Sequence, residues 1–273
     1  MMEDTQSRPL RNFRMEVSFD GTGYHGWQRQ ANSRSVQEVI EDTMSRLFNT
    51  DRIRIQGSSR TDSGVHALGM AVSFEVPESP YIPDWKIKKA LNRLLPNDIR
   101  IRSVEYADPD FNARFSAKGK AYVYVVNTGD LNPFTSRWSC YQPEFTQFDA
   151  VREAMKTLEG RHDFSAFTVE LDPTKDHVRR LYKVELKQFG PLACMCFVGN
   201  GFLYKMVRSM TGALLEVGRG RMRAERVGEM LASRNRSMAK DTAPACGLFL
   251  MKVFYEEEEW RSFDFDCPPF HIL

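Results

Sequence analysis

The amino-acid sequence predicts an α+β protein built from two ferredoxin-like (split βαβ) halves, each with an antiparallel sheet. Three observations support this prediction. Apolar residues recur with strand and helix periods in the order strand, helix, strand, strand, helix, strand, which is the split βαβ order. A comparable series of patterns restarts near residue 113. An acidic tail then follows the last strand pattern, so the expected domains are 1–112, 113–255 and 256–273.

The first series has clear start and stop signals. Ser35 and Glu38 have the spacing of a capping box, and the apolar residues that follow lie on one helical stripe. Pro96 stops the second helix, which starts at Asp84. The predicted elements are, in order, a strand at 14–20, a helix at 36–48, strands near 52–57 and 69–76, the helix from 84, and a strand at 98–106.

The second series contains an unusual helix, predicted at 202–217. Its apolar residues form a buried stripe, while Lys205 and Arg208 lie on the opposite face. A solvated basic face is one interpretation, and an Arg208 that faces a cleft and holds a carboxylate or phosphate is the other. The other predicted elements are a strand at 121–127, a helix at 148–158, strands at 178–189 and 192–199, a helix at 223–232, and a strand at 248–255.

Composition limits the classes of protein that fit. A content of 42% hydrophobic and 27% charged residues, with a mean hydropathy of −0.46, predicts a folded chain with a substantial core. No apolar run approaches the roughly 20 residues of a membrane helix, and the N-terminus lacks a secretory or transit pattern. We therefore expect a cytoplasmic protein without membrane contact. The five cysteines form no C-x-x-C pair and the five histidines lack ligand spacing, so neither a disulfide framework nor a metal site is expected.

The charge is unevenly distributed along the chain. The whole chain carries +2, and the tail from 256 to 273 holds six acids and one arginine, a sum of −5. Residues 1–255 therefore carry +7, which suits a polyanionic partner. We expect the acidic tail to be a solvated appendage.

The most informative local feature is the triplet Arg60-Thr61-Asp62. It lies in the Gly- and Ser-rich stretch QGSSRTDSGVHALG and precedes a strand pattern at 69–76. Loops of this composition bring their backbone close to ligands, so Asp62 is a candidate catalytic carboxylate. A surface turn with a solvated aspartate is the other interpretation of the triplet taken alone.

A second candidate group combines aromatic and basic residues. Tyr122 and Tyr124 project from one face of their predicted strand, just after the basic segment 114–120. Core packing explains such a pair, and so does stacking on a nucleobase whose phosphates meet Arg and Lys. The candidate phosphate contacts are Arg29, Lys118, Lys120, Arg179, Arg180, Lys205 and Arg221.

Several motifs together resemble a known family. They are, in order, FDGTGYHGWQRQ, SVQE, RTDSGVHALG, ARFSAKGKAYVY, GRHDFSAF, NGFLYKMVRSMTGALLEVG and APACGL. This series resembles the TruA family of tRNA pseudouridine synthases over about residues 12 to 255. Seven motifs in the right order are far more specific than any one of them.

The resemblance implies an activity and a set of site residues. The family isomerises uridine to pseudouridine in tRNA without cofactor or metal, and its bacterial members act at positions 38, 39 and 40 of the anticodon stem-loop. The essential aspartate corresponds to Asp62, the active-site tyrosine to Tyr122, and the arginine that pairs with the aspartate to Arg208. Arg60 corresponds to the arginine linked to displacement of the target base. The resemblance also implies a homodimer in which the active cleft lies between the two halves and tRNA is contacted by both subunits.

The sequence leaves three questions open. The family pattern has glycine before the motif arginine, whereas Ser59 stands there in this chain, so the turn geometry of the loop is in question. Asp62 can act as a nucleophile on the ribose or the ring, or as a base. The alternative functions are a tRNA-binding or tRNA-folding factor without turnover and an isomerase of other tRNA stem uridines.

Overall fold

A computed structural model describes residues 10–77, 81–169 and 176–271 of the chain. Within these ranges the protein has ten strands and five α-helices. We call β1 to β4 the N-terminal series and β5 to β10 the C-terminal series. The elements are β1 Leu10–Phe19, α1 Val36–Phe48, β2 Ile55–Gly57, β3 His66–Pro77, α2 Asp84–Leu94, β4 Ile99–Tyr106, β5 Gly119–Asn127, β6 Cys140–Tyr141, α3 Phe148–Lys156, β7 Gly160–Asp163, β8 Val178–Phe189, β9 Leu192–Gly199, α4 Met206–Gly218, α5 Glu225–Ser233 and β10 Leu248–Phe254.

All ten strands belong to one continuous, mostly antiparallel sheet, whereas the sequence predicts a separate sheet for each half. The order along the sheet is β4-β1-β3-β10-β5-β9-β8-β7, with β2 paired to β3 and β6 paired to β5. The N-terminal and C-terminal series join where β3 and β10 run parallel over two residue pairs. A Cβ atom at Gly69 would lie 2.5 Å from the carbonyl oxygen of Met251, so the missing side chain lets the two strands approach.

Long β3 makes this junction possible because its outer edge serves two partners. Residues 66 and 67 pair with β10, and residues 72 to 74 pair with β2. Its other edge is occupied by antiparallel β1. In β1, Phe13, Met15 and Val17 are fully buried and alternate with less buried residues, as the sequence pattern predicts.

Helix α1 confirms the predicted capping box. The Ser35 hydroxyl accepts a hydrogen bond from the Glu38 amide at 3.2 Å, and the Glu38 carboxylate accepts one from the Ser35 amide at 3.4 Å. These contacts satisfy two donors that a helix start otherwise leaves unpaired.

The helix predicted at 202–217 begins four residues later, at Met206. Lys205 has φ 59° and ψ 9°, which is a left-handed conformation that a helix interior does not allow. Residues 202–205 therefore form a loop after β9, and Lys205 and Arg208 do not share a helix face. The sequence also does not predict the strand β7, which pairs with β8, because none of its four residues has an apolar side chain that would show a strand alternation.

The acidic tail is not the solvated appendage that the sequence predicts. Five of its six acids are exposed, but Glu259 is half-buried and accepts a hydrogen bond from the Tyr255 amide. Phe265 is only 5% exposed, and Trp260 stacks on Tyr182 with ring centroids 4.8 Å apart. Together with Phe263 and Phe270, these rings cover an apolar cluster that includes Cys194. The cluster lies on the sheet face opposite to most of the core. The prediction was wrong because it rested on the negative charge of the tail and did not take account of the aromatic residues between the acids.

None of the helices in the described ranges combines the length and the apolar character needed to cross a membrane.

Candidate active site

The Asp62 loop connects β2 to β3 and is fixed by main-chain contacts. The Ser58 amide donates to the Ala71 carbonyl at 2.8 Å, and the Thr61 carbonyl accepts from the Trp27 amide at 3.1 Å. Gly26 has φ 86°, and a Cβ atom there would lie 2.5 Å from the Thr61 carbonyl oxygen. The segment 24–27 can therefore pack against the Asp62 loop only with glycine at this position.

Asp62 and Arg208 form an ion pair between the two series. Nη1 of Arg208 donates to Oδ2 of Asp62 at 2.6 Å, and both side chains are about 15% exposed. Nε of Arg208 also donates to the Ala243 carbonyl at 2.8 Å, which fixes the plane of the guanidinium. Arg208 lies in the first turn of α4, so the tertiary fold brings it against a loop 146 positions away in the sequence.

Tyr122 stands beside this pair on β5. Its ring is 6% exposed and meets Phe202 edge to face, with centroids 5.0 Å apart. Its hydroxyl lies 2.8 Å from the Ser59 hydroxyl. Burial raises the pKa of Tyr122 to about 12, so the phenol is neutral near pH 7.

These residues line an open cleft of about 950 Å³. Among the described residues, Asp62 is the single carboxylate on its wall. The cations on the wall are Arg60, Arg114, Lys120, Lys205 and Arg208, and the aromatic residues are Trp27, Tyr122, Phe202 and Tyr204. Positive charge combined with flat rings suits a phosphate-bearing ligand with a base to stack.

Lys120 is one of the half-buried cations of this wall. Its Nζ donates to the Ser58 carbonyl at 2.7 Å. Burial and the nearby charges of Arg114 and Arg179 lower its pKa to about 8.

The structure brings six of the predicted site residues together in the cleft and leaves five of the predicted phosphate contacts outside it. The six are Arg60, Asp62, Lys120, Tyr122, Lys205 and Arg208. Arg29 instead pairs with Asp42 at 2.9 Å and Glu41 at 3.2 Å. Lys118 pairs with Glu257 of the tail at 3.1 Å and lines a smaller cavity with Arg180. Arg221 pairs with Glu144 at 2.6 Å.

The cleft wall also contains residues that were not among the predicted site residues, notably Trp27, Phe202 and Tyr204. The signal that could have found the last two is the Asn200-Gly201 dipeptide, which is typical of a turn and argues against a helix start at 202. Trp27 lies inside a motif quoted for the family resemblance, but nothing local to it indicates that it faces a cleft. Arg114 lines the cleft as well, and it belongs to the basic segment 114–120 that the sequence indicates.

No group of three or more His, Cys, Asp or Glu side chains is arranged to hold a metal ion in the ranges that the structure describes.

The fold and the cleft define a class of protein: a mixed α/β enzyme with an arginine-paired carboxylate in a basic, aromatic-lined cleft. Comparison with known proteins gives the family. The family model described as tRNA pseudouridine synthase matches residues 15–116 and 154–256. This chain therefore belongs to the tRNA pseudouridine synthase family, whose members are isomerases, and the predicted resemblance is confirmed.

Curated relatives are similar over nearly their whole length. The tRNA pseudouridine synthase A of Geobacillus kaustophilus is 41% identical over 89% of this chain and 93% of its own. The protein of the same name from Bacillus pumilus is 43% identical over 88% of this chain and 97% of its own. The one from Acetivibrio thermocellus is 39% identical over 90% of this chain and 100% of its own.

Proposed function

We propose that this chain isomerises uridine to pseudouridine in tRNA, with Asp62 as the catalytic carboxylate. One observation carries the proposal: the Asp62 carboxylate and the Arg208 guanidinium meet at 2.6 Å in a basic cleft, beside the Tyr122 ring. The relatives' shared name, tRNA pseudouridine synthase A, supports tRNA as the substrate class.

The reaction is an isomerisation, so no atom enters or leaves overall. The bond from ribose C1′ to uracil N1 breaks, the base turns while bound, and C1′ then bonds to C5. The proton lost from C5 is balanced by one gained at N1. An ionised carboxylate serves this sequence either as a nucleophile, on C1′ or on the ring, or as the base that takes a proton.

Tyr122 and Arg60 have separate proposed tasks. Tyr122 presents a buried flat ring against which a detached uracil can stack. Arg60 is exposed at the cleft and has no hydrogen bond or ion pair to any described residue. A uridine in a stem must leave its stack, which costs a few kcal/mol, and the free Arg60 side chain can fill the gap.

We propose uridines 38, 39 and 40 of the anticodon stem-loop as the targets, following the family resemblance. Lys120 and Lys205 are proposed phosphate contacts within the cleft, and Arg29 and Lys118 are proposed contacts outside it. Mapping pseudouridine across a full tRNA pool tests the targets: modification of other uridines would change the substrate site and leave the proposed reaction intact. Tight tRNA binding without any pseudouridine would instead favour a binding factor.

We also propose that each series is a ferredoxin-like unit, with domains at 1–112 and 113–255 and the tail at 256–273. The support is the strand order, β4-β1-β3-β2 in the N-terminal series and β10-β5-β9-β8 in the C-terminal series, in which neighbouring strands pair antiparallel. The active cleft then lies between the two units. A cytoplasmic homodimer is the proposed working form, and sedimentation as a monomer at working concentration would contradict the dimer.

Asp62→Asn is the direct test of the proposed carboxylate. We expect release of tritium from tRNA that contains 5-tritiated uridine to fall by roughly 10³-fold or more, because an amide is neither nucleophile nor base. Binding of tRNA should change little. Asp51→Asn, an exposed acid-to-amide change outside the cleft wall, is the matched control. Turnover by Asp62→Asn at the level of the control would refute the role of Asp62.

A further inference from the structure

Two side chains on one face of β5 contact the first two residues of the Asp62 loop, Ser58 and Ser59. Nζ of Lys120 donates to the Ser58 carbonyl at 2.7 Å. The hydroxyl of Tyr122, two residues further along the strand, lies 2.8 Å from the hydroxyl of Ser59. Consecutive loop residues of the N-terminal series are therefore held by alternate strand residues of the C-terminal series.

We infer that Ser59 and Lys120 are positioning residues, which fix the Asp62 loop against β5 and thereby set the distance between Asp62 and Tyr122. We call the two contacts, Lys120 to Ser58 and Tyr122 to Ser59, the loop clasp. The inference rests on the proposed function, because it concerns the same cleft. It assigns no bond-making step to either residue.

The loop clasp supplies what the other contacts of the loop do not. Main-chain hydrogen bonds tie the loop to Ala71 and Trp27, which belong to the N-terminal series itself. Only Arg208 otherwise reaches Asp62 from the C-terminal series with a hydrogen bond in the described part of the chain. A misplacement of about 1 Å at a reacting group can cost on the order of 10²-fold in rate. The two contacts of the loop clasp therefore add to the Asp62–Arg208 pair in holding the loop in place against the C-terminal series.

Ser59 also gives the Tyr122 hydroxyl a partner in a buried place. Tyr122 is 6% exposed, and a buried hydroxyl without a hydrogen bond is destabilising. The glycine of the family pattern at this position offers no hydroxyl. The departure at Ser59 therefore adds a contact between the loop and the ring that the proposed mechanism uses.

The burial of Lys120 and the positive charges near it make the charge of its ammonium group sensitive to pH. The charged groups that face it are Arg114 and Arg179, and no carboxylate of the described residues lies within 4 Å of its Nζ. Burial and these two cations lower its pKa to about 8. Its charge-assisted hydrogen bond to Ser58 should thus weaken as pH rises through about 8.

A double-mutant cycle tests the Ser59 contact. In Ser59→Ala we expect kcat to fall by about two- to tenfold with little change in KM, the range that loss of one neutral hydrogen bond gives. If Ser59 acts through the Tyr122 hydroxyl, Ser59→Ala combined with Tyr122→Phe should be no slower than Tyr122→Phe alone. Ser136→Ala, an exposed serine whose hydroxyl bonds a carbonyl elsewhere, is the matched control and should match wild type. Additive losses in the double variant would overturn the inference for Ser59.

A pH profile of kcat/KM tests the Lys120 contact. Lys120→Arg keeps a charged donor, so it should retain activity within about threefold and lose the inflection near pH 8 that wild type shows. Lys120→Met should be at least about tenfold slower at pH 7, whereas Lys156→Met, an exposed lysine on α3, should equal wild type. An unchanged inflection in Lys120→Arg, or full activity in Lys120→Met, would overturn the inference for Lys120.

These results separate the loop clasp from the proposed function. Wild-type protein that forms no pseudouridine in tRNA would refute the proposed function itself. Wild-type turnover accompanied by wild-type-like Ser59→Ala and Lys120→Met variants would refute only the loop clasp.

Discussion

The two faces of β5 are stabilised in different ways. Tyr122 and Lys120 look toward the cleft, where each makes a directional hydrogen bond to the Asp62 loop. Ala121, Val123 and Val125 look the other way, into the apolar cluster that the C-terminal tail covers. On one face of β5 the contacts are single hydrogen bonds between named atoms. On the other face the contacts are apolar packing, whose contribution depends on the buried area.

The difference teaches where function and stability can be separated. Hydrogen bonds and ion pairs at an active site set geometry and contribute little net free energy of unfolding. Buried apolar area contributes most of that free energy and tolerates small shifts. Burial also raises the pKa of Cys194 to about 12, so this thiol behaves as an apolar group beneath the tail.

Arg208→Met changes the cleft face, and we expect it to have a larger effect on activity than any substitution on the tail face. Removing the guanidinium leaves Asp62 without its partner and frees the Ala243 carbonyl. We expect kcat/KM for tRNA to fall by on the order of 10²–10³, as when one preorganised donor is removed from an active site. Steady-state kinetics on purified tRNA measure this, and Arg208→Lys is the control that retains the charge and loses the planar fork. Full activity of Arg208→Met would show that the ion pair is dispensable.

Phe265→Ala should break the tail face instead. Phe265 is 5% exposed and packs against Phe189 and Phe263. We expect the free energy of unfolding to fall by about 3 kcal/mol, since truncation of a buried aromatic ring leaves a cavity. Urea unfolding measures the loss, while kcat of the folded fraction should stay at the wild-type value. A proportionate loss of kcat in the folded fraction would show that the two faces are coupled.

Trp260→Ala sharpens the same comparison with a smaller effect. This half-buried ring stacks on Tyr182 at an interplanar angle of 7°. Removing it should lower the free energy of unfolding by about 1–2 kcal/mol, from lost stacking and lost area. Trp260→Phe, which keeps an aromatic ring, should recover about half of that loss. A loss larger than that of Phe265→Ala would contradict the order of burial.

Asp264→Asn should have the smallest effect. Asp264 pairs with Lys187, but its side chain is 68% exposed. Exposed ion pairs contribute about 0–1 kcal/mol, so the thermal midpoint at moderate salt should move by no more than about 2 °C. The Lys187 contact holds the pKa of Asp264 below its usual value. The contribution should therefore be present at neutral pH and disappear as acid protonates the carboxylate.

Much of the fold could be predicted because its signals are local. The capping box of α1 spans four residues, and the alternation in β1 needs only its own ten. The parallel pairing of β3 with β10 could not be predicted, because it depends on Gly69 and on a strand about 180 residues away. The predicted start of α4 was wrong because the pattern of apolar residues does not reveal the left-handed conformation of Lys205.

The candidate site divides in the same way. Motif order identified the family and brought Asp62, Tyr122 and Arg208 forward as candidates, and their roles stay predictions. Local sequence carried no sign of the hydrogen bond between the Ser59 and Tyr122 hydroxyls, because the partners are 63 positions apart. Ser59 was noted only as a departure from the family pattern.

By itself, the sequence determined the family, the order of the helices and of all strands except β6 and β7, and the identity of the residues that can do chemistry. It could do so because periodicity, caps and motifs act over a few residues or are read directly as letters. Only the tertiary structure decided that both series share one sheet, that the tail lies on its far face, and that β5 holds the Asp62 loop. These outcomes depend on packing between distant segments, where the space left by one side chain sets the approach of another.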